Sequence, residues 1–437
     1  LRPPLLQHFS ERFPRVHRWG LRLFTLFVGQ GVLQSLNFAI GFLLIRWMSL
    51  DAYAQYGVVF GFQSTLGMLV DLGFSGCIVA LVGDRGDQPE VIGNYIAAAR
   101  WFRAVLFAVV IPLSAGAFYW IGMRHGWDIG SQTLLFVCIV VSLYSQGRVS
   151  WYGTPLLIHY RVHRFYRVQS LAAFGRLMAS MGLQLASALS AVTLTIVNTL
   201  ALIWTAASYT REAQPYIKVP ERADSQVRRE MLKYLSPLIP GLVFYALQGQ
   251  LLVFLISIFG KTQNIAEVAA LGRLGQLFIL LGAVNSALVE PYFARLNREH
   301  LLRRYLQVVG ASILVGGGIA ALAFLYPSPL LWILGSKYEH LDRQLGWMMA
   351  GSSLAYIGSV MWTIHSALKW IYWWGSFLYI GLLTVVQVIL IACLKLDTTL
   401  SVLYLGFATN LAVLAVHGIA AWVGLRAEHR QQQARRP

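Results

Sequence analysis

The sequence is poor in charge and in cysteine, and it lacks any long polar stretch. Charged residues make up 12% of its 437 positions, about half the share of an ordinary soluble domain, so a water-soluble enzyme is not expected. The three cysteines, Cys77, Cys138 and Cys393, each stand alone in an apolar run, with neither a metal-ligand spacing nor a disulfide pattern. No glycine-rich phosphate loop of the ATPase type occurs, so the chain is not expected to hydrolyse ATP. Zinc motifs, a nucleophile elbow and a convincing pair of external carboxylates are missing too, and no enzyme activity, metal or cofactor is expected. Alternation of strand period is absent, which removes an outer-membrane barrel. The basic, proline-containing N-terminal stretch does not read as a cleavable signal. It leads straight into a full-length apolar run that would stay as an anchor.

Apolar residues are what the chain has in excess, at 57%. They gather in twelve runs long enough to cross a bilayer. The first six are Leu21–Ile45, Gly57–Val82, Ala104–Gly122, Leu134–Gly153, Val168–Ala188 and Val192–Tyr209. The second six are Leu238–Phe259, Val268–Val289, Leu306–Tyr326, Leu345–Ser366, Phe377–Leu394 and Leu400–Leu425. Backbone groups in hydrocarbon must bond internally, so the runs read as helices. The expected fold class is an all-α polytopic membrane protein with twelve transmembrane helices in two six-helix halves.

Charge sets the orientation. About 27 of the 35 basic residues fall in alternate gaps, among them Arg161, Arg164, Arg167, Arg228, Arg229, Lys233, Arg303 and Arg304. About six fall in the other gaps, including Arg46, Lys261 and Lys337. The positive-inside rule then places both termini in the cytoplasm. The net charge of +17 is spread over short loops that would meet anionic lipid headgroups, and no nucleic-acid partner is expected. The longest polar segment separates six runs from six. The expected organisation is an N-terminal lobe at 1–210, a cytoplasmic linker at 211–235 whose charged part could form a surface helix, and a C-terminal lobe at 236–437 with a basic tail. Ala54-Gln55-Tyr56-Gly57 and Ala266-Glu267-Val268-Ala269 echo each other at matching places, as an internally duplicated transporter would show.

Ionisable groups inside a span are costly and default to functional candidates. Arg176 falls in the middle of the fifth run; its guanidinium fork matches diphosphate oxygens, and a structural pairing with Asp71 or a helix carbonyl is the alternative. Arg273, in the eighth run, either reaches a cavity or snorkels to headgroups. Asp71, central in the second run, is either a proton or cation site or a structural partner. Gln30, Gln34 and Asn37 recur on one face of the first run and Gln248 lies in the seventh. Such amides suit sugar hydroxyls and equally suit interhelical hydrogen bonds. Glu290 reads as one half of an interfacial ion pair with Arg295 or Arg298. His365 and His417 read as interhelical hydrogen-bonding groups before proton relays.

Three stretches carry a resemblance. Leu44-Ile45-Arg46-Trp47-Met48-Ser49-Leu50-Asp51-Ala52-Tyr53-Ala54-Gln55-Tyr56-Gly57, followed by Asp71-Leu72-Gly73, resembles the first two spans of bacterial polysaccharide flippases of the O-antigen type. These belong to the multidrug/oligosaccharidyl-lipid/polysaccharide (MOP) transporter superfamily. Leu330-Leu331-Trp332-Ile333-Leu334-Gly335-Ser336-Lys337-Tyr338 is similar to that family's segment between spans nine and ten. Glu290-Pro291-Tyr292-Phe293-Ala294-Arg295-Leu296 is similar to its exit from span eight. The chain departs from peptidoglycan-precursor flippases in lacking paired charges in the first span and two further C-terminal spans.

The resemblance implies two six-helix lobes around a central cavity that opens alternately inward and outward. The implied cargo is an undecaprenyl-diphosphate-linked oligosaccharide moved across the inner membrane for lipopolysaccharide or exopolysaccharide assembly. Coupling would be to H+ or Na+ or to the membrane potential, and a polymerase or glycosyltransferase is the implied partner. In the relatives a basic residue on span eight commonly lines the cavity, which is the role implied for Arg273. The alternatives are a cation-coupled drug antiporter of the same superfamily and a membrane subunit of a polysaccharide synthase or export complex. Two midspan arginines against one aspartate favour an anionic cargo.

Overall fold

The computed structural model describes residues 14–434 apart from 160, 237, 286–288, 290–291, 294–295, 297–299 and 371. Glu290, Arg295 and Arg298, and with them the expected ion pair, lie outside the described residues. Among the described residues the chain is helical and carries no strand. In order the helices are α1 (Pro14–Trp47), α2 (Leu50–Leu69), α3 (Cys77–Val82), α4 (Pro89–Arg124), α5 (Ile129–Ile158), α6 (Val162–Leu185), α7 (Ala191–Ala213) and α8 (Ser225–Leu235). They continue as α9 (Ile239–Gln248), α10 (Leu251–Phe259), α11 (Thr262–Gly275), α12 (Leu277–Val284), α13 (Leu301–Leu325), α14 (Pro327–Leu334), α15 (Asp342–Ala367), α16 (Trp373–Cys393) and α17 (Thr399–Ala434). Among the described residues each of the twelve apolar runs falls on one helix or on two consecutive ones, with α4 starting well before its run and α17 ending well after its own.

Seven of these helices are long and apolar enough to cross a membrane, or eight if α9 and α10, bent by 52°, count as one span. The runs that fall short are interrupted, as in α2–α3 and α11–α12, or carry many polar side chains, as α6 does with Arg164, Arg167, Gln169 and Arg176. Large apolar side chains point outward: Leu113 is 74% exposed, Leu185 86% and Leu314 77%. In water such a surface would aggregate; against lipid tails it is the solvated face. The protein is an integral membrane protein.

The chain divides into two compact units, one of residues 1–48 and 59–249, the other of 49–58 and 250–437. In the first, α5 packs along α7 and α1 along α6. The linker forms the expected surface helix as α8, started by the Asp224 carboxylate, which accepts the Gln226 N–H at 2.8 Å. Its apolar side, Met231 and Leu235, is buried with Leu72, Phe74, Ile92, Tyr95 and Trp151. In the second unit α15 packs on α13 and α17. The two echoing tetrapeptides meet there: a Cβ on Gly57 would stand 2.9 Å from the Ala269 Cβ.

The main departure from expectation lies in the second run, which reads as one span from Gly57 to Val82. Residues 70–76 instead form turns between α2 and α3. Leu72 has φ 40° and Gly73 φ 82°, left-handed values that stop a right-handed helix. Local bonds satisfy the backbone through the step, with Leu72 N–H donating to the Met68 carbonyl at 2.8 Å and Cys77 N–H to that of Gly73 at 3.0 Å. Because Gly73 holds its positive φ without a Cβ, Gly73→Ala is expected to cost about 1–2 kcal/mol. Gly76→Ala, at φ −69°, serves as the near-neutral control. Thermal unfolding in detergent checks this, and equal melting of the two variants would contradict it.

Candidate functional site

The break between α2 and α3 is where polar chemistry collects. Asp71 sits in the first turn of the break, and its carboxylate organises the step: the Ser75 hydroxyl donates to Oδ1 and the Ser75 N–H to Oδ2 at 3.4 Å. From α4, Arg103 Nη1 donates to the same carboxylate at 3.1 Å, with the arginine side chain 5% exposed and the aspartate 21%. Arg103 Nη2 donates to the Leu143 carbonyl of α5 at 2.6 Å. Its guanidinium carbon lies 5.9 Å from the centre of the Trp151 ring, within range of a cation–π contact. Its Nε is buried and has no acceptor among the described residues. Gly147 makes room for the group, since a Cβ there would lie 2.5 Å from Nε.

Beside the pair opens a cavity of about 360 Å³ lined by Ser64, Gly67, Met68, Asp71, Leu72, Gly73, Arg103, Gln146, Ser150, Leu242 and Tyr245. Its volume is within the range of small-molecule sites. Interrupted backbone in a membrane protein is tolerated where it is buried in protein or lines a polar cavity, and this break does the second. The walls offer one cation, one anion, three hydroxyl-bearing residues and an amide, together with the apolar side chains of Met68, Leu72 and Leu242. Such walls can take a charged group and a sugar-like polar body.

Of the residues singled out from the sequence, Asp71 lines this cavity. Arg176 is half-buried on α6, and its Nη2 donates to Asn37 Oδ1 on α1 at 2.5 Å, so two candidates named separately are brought together. Asp71, weighed above as a partner of Arg176, pairs with Arg103 instead. Gln30 and Gln34 are half-buried on α1, and Gln248 is half-buried at the end of α9. Arg273, on α11, hydrogen-bonds to the hydroxyls of Tyr53 and Tyr56 on α2 and reaches Gln276 Oε1 at 3.4 Å. His365 Nε2 is 3.1 Å from the Tyr305 hydroxyl, an interhelical contact, and its ring centre is 5.7 Å from that of His417.

Sequence reasoning passed over two groups. Arg103 counted as a cytoplasmic loop charge just before an expected span at Ala104, whereas α4 begins at Pro89 and carries it inside. Glu267 entered only as part of a repeat. In the second unit its side chain is 6% exposed and accepts from three directions. Gln263 Nε2 lies at 2.9 Å, His340 Nε2 at 3.0 Å, and the Thr399 hydroxyl completes the set. The carboxylate thereby ties α11, the segment before α15 and the first turn of α17. Glu267→Ala removes the acceptor from all three donors and is expected to lower the melting temperature clearly. Glu267→Gln keeps an acceptor oxygen and is expected to lower it less. Thermal unfolding of both variants decides it, and no loss in Glu267→Ala would contradict the tie.

No protein-family model matches the sequence, and no curated protein matches it. Solved structures do. The lipid II flippase MurJ, in an inward closed conformation, superposes with a TM-score of 0.67 at 15% identity, covering 91% of this chain and 87% of that one. The inward-facing conformation of a multidrug resistance MATE family transporter of the MOP superfamily gives 0.57 at 14% identity, covering 92% and 95%. The eukaryotic MATE transporter AtDTX14 gives 0.57 at 11% identity, covering 94% and 98%. These are transporters and flippases rather than enzymes, and this chain shares their fold.

Proposed function

We propose that this MOP-fold protein is a flippase. Its cargo is a polyprenyl-diphosphate-linked oligosaccharide of the undecaprenyl type, carried from the cytoplasmic to the outer leaflet for surface polysaccharide assembly. The observation that carries the reading is Arg103: a guanidinium buried in a polar cavity at the break of a membrane helix, with one N–H unclaimed. A cation so placed is retained against a large desolvation cost and is suited to phosphate oxygens. Arg176 and Arg273 add two further guanidinium groups along the helices, and the hydroxyls and amides of Ser64, Gln146 and Ser150 suit a sugar. The likeness to a lipid II flippase supports the same reading at the level of fold. With it go the division into lobes at 1–210 and 236–437 joined by 211–235, a bacterial inner-membrane location with both termini in the cytoplasm, and a polymerase or glycosyltransferase as the enzyme that supplies or uses the cargo.

A second reading, a cation-coupled drug antiporter, draws on Asp71 in the same cavity and on the likeness to MATE transporters. Proteoliposomes separate the two. The flippase reading expects a fluorescent undecaprenyl-diphosphate oligosaccharide to cross with the wild-type protein. Arg176→Gln and Arg273→Gln should each slow it by about tenfold or more, the scale of one lost charge-assisted hydrogen bond, at unchanged yield of folded protein, and Arg103→Gln should do so per folded molecule, its yield being lowered because Asp71 loses its ion-pair partner. Movement of a cationic dye against a proton or sodium gradient, with no movement of the lipid, would transfer the chain to the antiporter reading.

A further inference from the structure

We infer that one flank of the linker helix α8 is a docking surface for acidic phospholipids, with Arg228 and Trp101 receiving a lipid phosphate. Headgroup binding there holds α8 against the α2–α3 break.

Helical period sorts the side chains of α8 into faces. Val227, Met231 and Leu235 pack into the core with Leu72, Phe74 and Tyr95. Leu235 closes on the break itself, since a Cβ on Gly73 would stand 3.5 Å from its Cδ2. Arg229 and Lys233 fall on the opposite face and are exposed. Arg228 and Leu232 lie on the flank between these two faces. Glu230 lies on the other flank, where its carboxylate accepts the Tyr95 hydroxyl at 2.7 Å.

On the first flank the Arg228 guanidinium carbon stands 4.7 Å from the centre of the Trp101 ring, a cation–π distance. Trp101 is 44% exposed and comes just before the apolar run that begins at Ala104. Tryptophan in that position marks the headgroup level of a membrane helix, so the ring sets Arg228 at the same depth. Among the described residues no carboxylate lies within ion-pair distance of Arg228, and its Nε has no acceptor. Two acidic side chains of the linker are engaged elsewhere, Glu230 with Tyr95 and Asp224 with the Gln226 N–H. Leu232, one turn on from Arg228, is exposed. A cation seated on an aromatic ring, with an exposed leucine beside it, is the chemistry of an interfacial helix. The guanidinium suits a phosphate, and the apolar groups suit the edge of the acyl layer. Arg229 and Lys233 add positive charge that no ion pair cancels among the described residues. The surface therefore complements an acidic leaflet better than a zwitterionic one.

The test places the full chain in nanodiscs of phosphatidylglycerol or of phosphatidylcholine and reads amide hydrogen exchange over residues 225–235. Exchange is expected to be about fivefold or more slower in phosphatidylglycerol, the scale of one basic residue at an acidic surface. The gain should shrink in about 0.5 M NaCl, which screens exposed charge. Arg228→Gln should lose the gain, and Arg229→Gln, on the outward face, should keep most of it. Inorganic phosphate added to phosphatidylcholine nanodiscs should not reproduce it. Equal exchange in the two lipids overturns the docking surface, as does a gain that survives Arg228→Gln or that free phosphate reproduces. A gain lost equally in Arg229→Gln overturns the assignment to this flank. If Arg228→Gln fails to fold, Trp101→Leu, which removes the aromatic seat, decides in its place: a reduced gain supports the site and an unchanged gain overturns it. No cargo enters the measurement, so its failure leaves the flippase reading untouched.

Discussion

A charged pair beside an interrupted helix is the constraint on which the N-terminal unit depends. Neither Asp71 nor Arg103 could be left alone in a water-poor interior; removing one partner of such a pair commonly costs about 3–5 kcal/mol. The aspartate also holds the break itself through Ser75, so the same carboxylate fixes the backbone step and the arginine. The surrounding sequence accommodates this. Gly73 accepts the left-handed turn, Gly147 leaves space for the guanidinium, and the linker helix α8 seals the break from below with Met231 and Leu235. The cavity follows from these arrangements, because an interrupted helix with satisfied backbone groups leaves room beside it that side chains of α4, α5 and α9 only partly fill.

The C-terminal unit solves a similar problem with different residues. Its buried carboxylate, Glu267, is hydrogen-bonded by an amide, a hydroxyl and a half-exposed histidine, and it joins three segments distant in sequence. Its midspan cation, Arg273, rests on the hydroxyls of Tyr53 and Tyr56. The two units thus treat charge differently: a closed ion pair facing a cavity in the first, a guanidinium held on tyrosine hydroxyls in the second.

Much of the fold was legible because membrane helices announce themselves by length and apolarity, and among the described residues each of the twelve runs is helical over most of its length. What stayed hidden was local. The break at residues 70–76 sits inside a run whose hydropathy never falters; its signal was Asp71-Leu72-Gly73 with Ser75 and Gly76, a turn-forming cluster that the apolar average outweighed. Arg103 was absorbed by the positive-inside pattern, which treats every arginine near a span end as a topology marker, and its burial follows from α4 starting some fifteen residues earlier than the apolar run. Asn37 and Arg176 each stood out as polar groups in spans, yet their meeting depends on the packing of α1 along α6, which periodicity alone does not specify. Glu267 was masked by its role in an internal echo, and its donors lie far away in sequence at His340 and Thr399.

The most direct test of the account is to see the anion. A cryo-electron microscopy map of the protein in nanodiscs with undecaprenyl diphosphate bound should place the diphosphate in the cavity beside the α2–α3 break, within hydrogen-bonding distance of the Arg103 guanidinium and with Asp71 turned away from it. A diphosphate bound elsewhere, with the Asp71–Arg103 pair still closed, would contradict the claim that this pair is the site of cargo recognition.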